Sequence, residues 1–245
     1  MRRAGEANDT ANPRPTPLLV DGGEPNDPHG DPPMLRVRLS LEAVVFDVGE
    51  TLVDESRAWR EEARRAGVSE LTLFAVLGAL IERGVDHGLW DFLGVAPPKE
   101  PVRIEPGDLY PDALRCLRAV HDLGNRVGIA GNQPLHTETM LRSLDVPLDF
   151  VASSAGWGVE KPAPEFFARV TAELGVPPDQ VVYVGDRLDN DILPAAAAGM
   201  VTVLIRRGPW GCLHACRPEA AVAHARIDGL DELPAVLRRV GHHVS

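Results

Sequence analysis

The sequence predicts an α/β fold in which a parallel sheet is covered by helices on both faces and a small helical cap is inserted after the first strand. Three observations predict it. Short apolar, β-branched runs alternate with helical stretches from Tyr110 onward. The first such run, Val44-Val45-Phe46, stops abruptly at Asp47-Val48-Gly49-Glu50-Thr51-Leu52, an aspartate followed by a glycine turn. Between that strand and the alternating region lies an insert of about fifty residues, far longer than a strand–helix connection needs.

Residues 1–33 are rich in proline, glycine, asparagine and aspartate and lack an apolar pattern, so they read as a disordered leader. Met34 opens the first patterned stretch, Leu35 to Leu41, and is a candidate start of translation. The core is expected over 34–53 and 108–245, with the cap over 54–107. Within the cap, 55–66 and 69–83 read as helices, with Trp59, Leu71, Phe74, Leu77, Leu80 and Ile81 at helical spacing. A third short helix is expected from Val85 to Phe92, carrying His87 and Trp90, before Ala96-Pro97-Pro98 breaks the pattern.

The alternation that follows predicts a helix over Pro111–Leu123 and a strand over Arg126–Gly131. A helix over His136–Leu144 and a short strand over Phe150–Ala152 come next. A helix over Ala163–Leu174, ended by Gly175, leads to the strand Val181–Val184. An alanine-rich helix ends at Gly199, and Val201–Ile205 forms another strand. An edge strand near Ala225–Ile227 and a helix over Asp231–Val240 complete the chain.

Composition narrows the function. The net charge of −11 argues against nucleic-acid or anionic-membrane binding, both of which need a basic face. The leader carries three arginines against six acids, so the remainder stays acidic without it. A phosphorylated substrate stays compatible with this charge, because one lysine and a bound cation make a local positive site. No run approaches the roughly 18 apolar residues of a membrane span. Arg2-Arg3 has no apolar segment behind it, and three cysteines suit a reducing compartment, so the expected location is the cytoplasm. Oligomeric state has no signature in the sequence.

Asp47, Asp186 with Asp191, and Lys161 all fall at or just beyond the carboxyl ends of predicted strands, where open parallel sheets bind ligands. Clustered carboxylates repel one another and are costly to leave unpaired. A hard cation with oxygen ligands, most economically Mg²⁺, resolves the repulsion and leaves coordination positions for a phosphate oxygen. Lys161 would bring a positive charge to the opposite side of a transferring phosphoryl group.

Residues 43–240 resemble the haloacid dehalogenase-like (HAD) hydrolase superfamily. Asp47-Val48-Gly49-Glu50-Thr51-Leu52 is similar to its first motif, and Ile129-Ala130-Gly131-Asn132 lies where the second belongs. Lys161-Pro162 matches the third, and Gly185-Asp186 followed by Asp191 matches the fourth. The resemblance implies a Rossmann-like, three-layer core with a helical cap and Mg²⁺-dependent hydrolysis of a small phosphorylated metabolite. It implies that Asp47 is the nucleophile and a metal ligand, forming an aspartyl-phosphate that water then hydrolyses. It further implies that the Gly49 carbonyl and Asp186 bind the metal, with Asp191 in the same cluster or one layer behind it. Thr51 would support the nucleophile loop. Lys161 would hold both the phosphate and Asp47, and backbone N–H groups around Gly131 and Asn132 would bind phosphate oxygens.

Two departures from the family pattern matter. Most family phosphatases carry a second aspartate two residues after the nucleophile, as general acid and base, and here that residue is Gly49. General acid–base help is worth about 10²–10⁴-fold, so slow turnover of unactivated esters is expected. The second motif normally supplies a hydroxyl, and here Gly131 stands there; a tight turn is the simpler reading of that glycine. Asp54, Glu55 and His87, on the cap or its hinge, are candidates to replace the missing acid, and adjacent Glu50 is a weaker one.

The second functional reading is a catalytically silent relative that binds a phosphorylated ligand or a protein partner. A haloacid dehalogenase is disfavoured, because the Asp186–Asp191 cluster implies a metal that such chemistry does not use. Asp189 reads as a helix cap or a solvated group, and Arg206-Arg207-Gly208-Pro209-Trp210 as a solvated turn rather than an edge of the substrate site. Cys212, His214 and Cys216 are too tightly spaced for the usual zinc patterns. Trp59 and Trp90 read as cap core, and His242-His243 as a frayed tail.

Overall fold

The run Ala43–Phe46 (β1) is buried along its whole length, and its side chains divide between two apolar layers. Val44 and Phe46 join one layer with Leu117, Leu141 and Leu237, whereas Ala43 and Val45 join the other with Phe166, Phe167 and Val170. This is the period of two expected of a strand covered on both faces. A computed structural model describes residues 40–85 and 88–240. The leader over 1–33, Met34, His87 and His242-His243 lie outside the described residues.

The strands are β1, Arg126–Gly131 (β2), Phe150–Ser153 (β3), Val181–Gly185 (β4), Val201–Ile205 (β5) and Ala225–Ile227 (β6). All pair in parallel, in the order β3-β2-β1-β4-β5-β6. The α-helices are Ser56–Ala66 (α1), Glu70–Glu82 (α2), Leu89–Leu93 (α3), Ala113–Asp122 (α4) and Leu135–Arg142 (α5). They continue with Ser154–Trp157 (α6), Pro164–Leu174 (α7), Leu193–Ala197 (α8), Gly208–His214 (α9) and Leu233–Val240 (α10). Helices α4, α5 and α10 cover one face and α7 and α8 the other, which gives the three layers.

Successive strands are added outward in opposite senses from β1 and from β4. The crevice at the carboxyl ends of these two strands is the switch point at which α/β sheets bind ligands. Asp47 follows β1 and Asp186 follows β4, so both project at this crevice.

Helices α1 to α3 form the insert after β1. Their apolar side chains, including Leu73, Leu77 and Leu80 with Trp59 and Trp90, make a separate cluster. That cluster also takes in Trp210 and Leu213 of α9, and Arg217 donates to the Ile81 carbonyl at 2.5 Å, closing the last turn of α2. Leu71 departs from the expected stripe and is 81% exposed.

Beyond β4 the structure adds one feature and corrects one expectation. The alanine-rich helix is entered through a wide π turn at Leu188–Ile192, which carries Asp191 inward. Arg206–Trp210 is no solvated turn: Gly208-Pro209-Trp210 opens α9, with proline in the first turn, where its missing N–H costs no helical bond.

Candidate active site

Asp47, Asp186 and Asp191 converge, with one carboxylate oxygen of each lying within 4.8 Å of the others. All three are buried. Asp47 is set by its own N–H, which donates to the Val184 carbonyl at 2.9 Å and continues the β1–β4 ladder by one residue. Asp191 is held at both oxygens: Oδ2 accepts the Arg187 N–H at 2.9 Å and Oδ1 accepts from Lys161 Nζ at 2.5 Å.

Lys161 reaches this cluster from between α6 and α7. Its Nζ bridges Asp191 and Asp47 Oδ1, the latter at 2.6 Å, and is walled by the Tyr183 and Phe166 rings at 5.6 and 6.0 Å. Burial pulls the ammonium pKa down, but the Asp191 and Asp47 charges outweigh it and hold the group well above its ordinary value. The Lys161 backbone is clasped by Asn132, whose Oδ1 accepts the Lys161 N–H at 2.8 Å and whose Nδ2 donates to the Lys161 carbonyl at 2.9 Å. The Asn132 side chain is thus engaged with the chain that carries the lysine.

Asp186 has no hydrogen bond among the described residues. Burial, reinforced by the Asp191 and Asp47 charges, pushes its carboxyl well above the usual range. A buried carboxylate in that state, facing two more and an all-oxygen donor set, fits a small hard cation. Asp47, Asp186, Asp191 and the Gly49 carbonyl are the groups that would hold it.

Gly131 ends β2 rather than forming a turn, and its role is close approach. A Cβ there would lie 2.5 Å from Asp47 Oδ1 and 3.1 Å from Val48 Cγ2. Gly49 is similarly confined, because a Cβ there would lie 2.6 Å from Glu55 Oε1. Burial first, then the Glu50 and Asp47 charges, pushes the Glu55 carboxyl up to about 7. Thr51 is fully buried, and its hydroxyl has no partner among the described residues.

The loop after β1 is clamped by Arg207, which reads in the sequence as part of a solvated turn. Arg207 pairs with Asp112, donates to the Thr51 carbonyl at 3.2 Å, and lays its guanidinium 4.2 Å from the Tyr110 ring centroid. Tyr110 in turn donates to Glu50 Oε2 at 2.5 Å. The signal available was Arg207 directly after an apolar strand, but nothing in the sequence links it to Asp112 or Tyr110. Trp210 was also missed. It meets Trp59 of the insert at 6.5 Å and stacks under the Arg187 guanidinium at 4.9 Å.

Asp47, Lys161 and Asp186 open into a cavity of about 210 Å³ bounded by Glu55, Trp59 and Trp210. A second cavity of about 200 Å³ lies beside it, sharing Glu55, Trp59, Asn132 and Gln133 as walls and reaching His136 and Thr137.

Of the remaining sequence candidates, Asp189 pairs with Arg187 at 2.7 Å and is half exposed. Cys212 and Cys216 are exposed, while His214 is buried and accepts the Leu188 N–H at 3.0 Å, so they form no ligand cluster.

The model of the haloacid dehalogenase-like hydrolases matches residues 41–199, well over half of the chain. The chain belongs to this family. It is 33% identical over 232 residues to a glyceraldehyde 3-phosphate phosphatase of Methanopyrus kandleri, covering 82% of this chain and 98% of that protein. A protein of the same description from Methanocaldococcus jannaschii is 28% identical over 69% of this hydrolase and 87% of its own length. A phosphoglycolate phosphatase of Salmonella paratyphi A is 36% identical over a shorter span, 41% of this chain and 40% of its own. Among solved structures, a HAD phosphatase from Thermococcus onnurineus is 24% identical with a TM-score of 0.53, covering 80% of this chain and 97% of its own. An L-2-haloacid dehalogenase from Xanthobacter autotrophicus is 20% identical with a TM-score of 0.59, covering 81% and 98%. These two likenesses speak to the fold of the hydrolase alone.

Proposed function

We propose that this hydrolase is a Mg²⁺-dependent, cytoplasmic phosphatase of small phosphate esters, working through an aspartyl-phosphate on Asp47. One observation carries the reading. Three buried carboxylates lie within 4.8 Å of one another, and a single lysine bridges Asp47 and Asp191.

The phosphate dianion would enter beside Asp47 and Lys161. Lys161 neutralises charge on the transferring group and orients Asp47 through their ion pair, and Asp191 keeps the ammonium in place. A cation held by Asp47, Asp186, Asp191 and the Gly49 carbonyl would supply charge neutralisation for the phosphoryl oxygens. Asp47 then attacks phosphorus, and water hydrolyses the resulting acyl phosphate. Thr51 and Arg207 hold the loop that presents Asp47. Backbone N–H groups near Gly131 and Asn132 are assigned to the phosphate oxygens.

The helical insert over 54–107 is assigned as the cap that closes the crevice. Cavities near 200 Å³ support a substrate of few carbons, and the relatives named as glyceraldehyde 3-phosphate and phosphoglycolate phosphatases support the same class. Three free cysteines support a reducing compartment.

The test is phosphate release from two- to four-carbon phosphate esters, including glyceraldehyde 3-phosphate and phosphoglycolate, with Mg²⁺ and with EDTA. Release that requires Mg²⁺ and disappears in Asp47→Asn is expected. Release unaffected by Asp47→Asn contradicts the reading. Ligand-induced stabilisation without turnover favours a binding protein instead.

A further inference from the structure

Glu55 stands at the entrance to α1, where a side chain ordinarily turns back to cap its own helix. Its carboxyl makes no capping bond. It lies against the nucleophile loop, in the space a side chain at Gly49 would take, with Oε1 at 2.6 Å and Cδ at 2.9 Å from a Cβ placed on Gly49. It also belongs to the walls of both cavities, so it stands between the Asp47 crevice and the neighbouring space.

This placement is built from the residues around it. Glu50 takes a left-handed conformation, φ 52°, and its Oε1 accepts the Glu55 N–H at 3.2 Å. Glu50 is itself fixed by the Tyr110 hydroxyl, so its carboxylate is already committed. Asp54 is committed too, accepting the Ser56 N–H at 2.9 Å.

We propose that Glu55 is the catalytic carboxyl on the leaving-group side of Asp47, a role that rests on the phosphatase reading above. In the first half-reaction Asp47 attacks phosphorus and the ester P–O bond breaks. Its electron pair stays on the leaving oxygen, and the Glu55 carboxylic acid gives that oxygen a proton. In the second, water attacks the aspartyl-phosphate phosphorus and gives a proton to the Glu55 carboxylate. The bond to Asp47 breaks, with the pair returning to Asp47. Ester and water become alcohol and phosphate, and both carboxyl groups return to their starting states.

The adjoining cavity is then the seat of the alcohol portion, on the far side of Glu55. The acid comes from the first turn of the insert rather than from the loop after β1, so the Gly49 position has to be empty for it to fit.

The experiment compares glyceraldehyde 3-phosphate, an alkyl ester with a poor leaving group, with p-nitrophenyl phosphate, whose leaving group needs no proton. Glu55→Gln is expected to lower kcat on the alkyl ester by about 10²–10⁴-fold and on the aryl ester by less than about 10-fold. The double variant Gly49→Asp with Glu55→Ala, which returns a carboxyl to the same space, is expected to recover at least about 10-fold of the alkyl-ester rate lost in Glu55→Ala. Equal losses on both esters, or no loss, overturn the role of Glu55 while leaving the phosphatase reading intact. A wild-type protein that hydrolyses neither ester overturns both.

Discussion

Asn132 and Lys161 are locked by two reciprocal hydrogen bonds, side-chain amide to main chain, at 2.8 and 2.9 Å. The pairing ties the end of β2 to the segment before α7 and fixes the point from which the lysine side chain extends toward Asp47. Asn132→Ala removes both bonds and frees that segment. Misplacement of a charged group by about 1 Å costs on the order of 10²-fold in rate, so kcat on a small phosphate ester should fall by about 10- to 100-fold. Urea unfolding should report a loss of about 1–3 kcal/mol from the unsatisfied backbone groups. A fully active Asn132→Ala protein would show that Lys161 is positioned by other means.

Restoring the hydroxyl that the family usually carries in its second motif should harm this protein. A Cβ at position 131 meets Asp47 Oδ1, the same oxygen that accepts from Lys161. Gly131→Ser therefore forces Asp47 off Lys161. The expected outcome is lower turnover, with a stability loss of about 1–3 kcal/mol typical of overpacking. Higher turnover in Gly131→Ser would contradict the close-approach account of this glycine.

His214 makes stability depend on pH. Its Nδ1 accepts the Leu188 N–H, which requires an unprotonated nitrogen, and burial leads the effects that lower its pKa below 6.5. The folded value lies below the unfolded one, so on acidification the unfolded chain takes up the proton first. The stability contributed is full above about 6.5 and is lost as the pH falls through the folded value. Urea midpoints at about pH 7.5 and about pH 5.5 should show a drop that is smaller in His214→Asn, whose oxygen accepts the same N–H without titrating. An equal drop in both proteins would assign the acid sensitivity elsewhere.

Much of this architecture was legible in the residues. β-Branched runs ending in Asp47 and Asp186 marked two strands buried on both faces, and the glycines after Leu123 and Leu174 marked helix ends. The positions of Asp47, Asp186 and Lys161 at or just beyond the carboxyl ends of strands marked a cluster at one end of the sheet. What was not legible depends on contacts between residues far apart in the chain. Arg207 follows a strand as an ordinary polar residue, and only folding brings it to Asp112 and Tyr110. Gly131 read as a turn because the carboxylate that excludes its side chain is 84 residues earlier in the sequence. Glu55 is one of four acid candidates in the sequence, with Glu50, Asp54 and His87, and only the fold brings its carboxyl against Gly49. The π turn at Leu188–Ile192 had no sequence signature, since its composition suits an α-helix equally well.

The covalent step is the central claim, and acid quenching during turnover reads it directly. The protein is mixed with a small phosphate ester and Mg²⁺, quenched in acid within the first turnovers, digested and analysed by mass spectrometry. One phosphoryl group is expected on the peptide containing Asp47, and none in Asp47→Asn. Steady phosphate release with no label on that peptide, or with label on another residue, would contradict the claim.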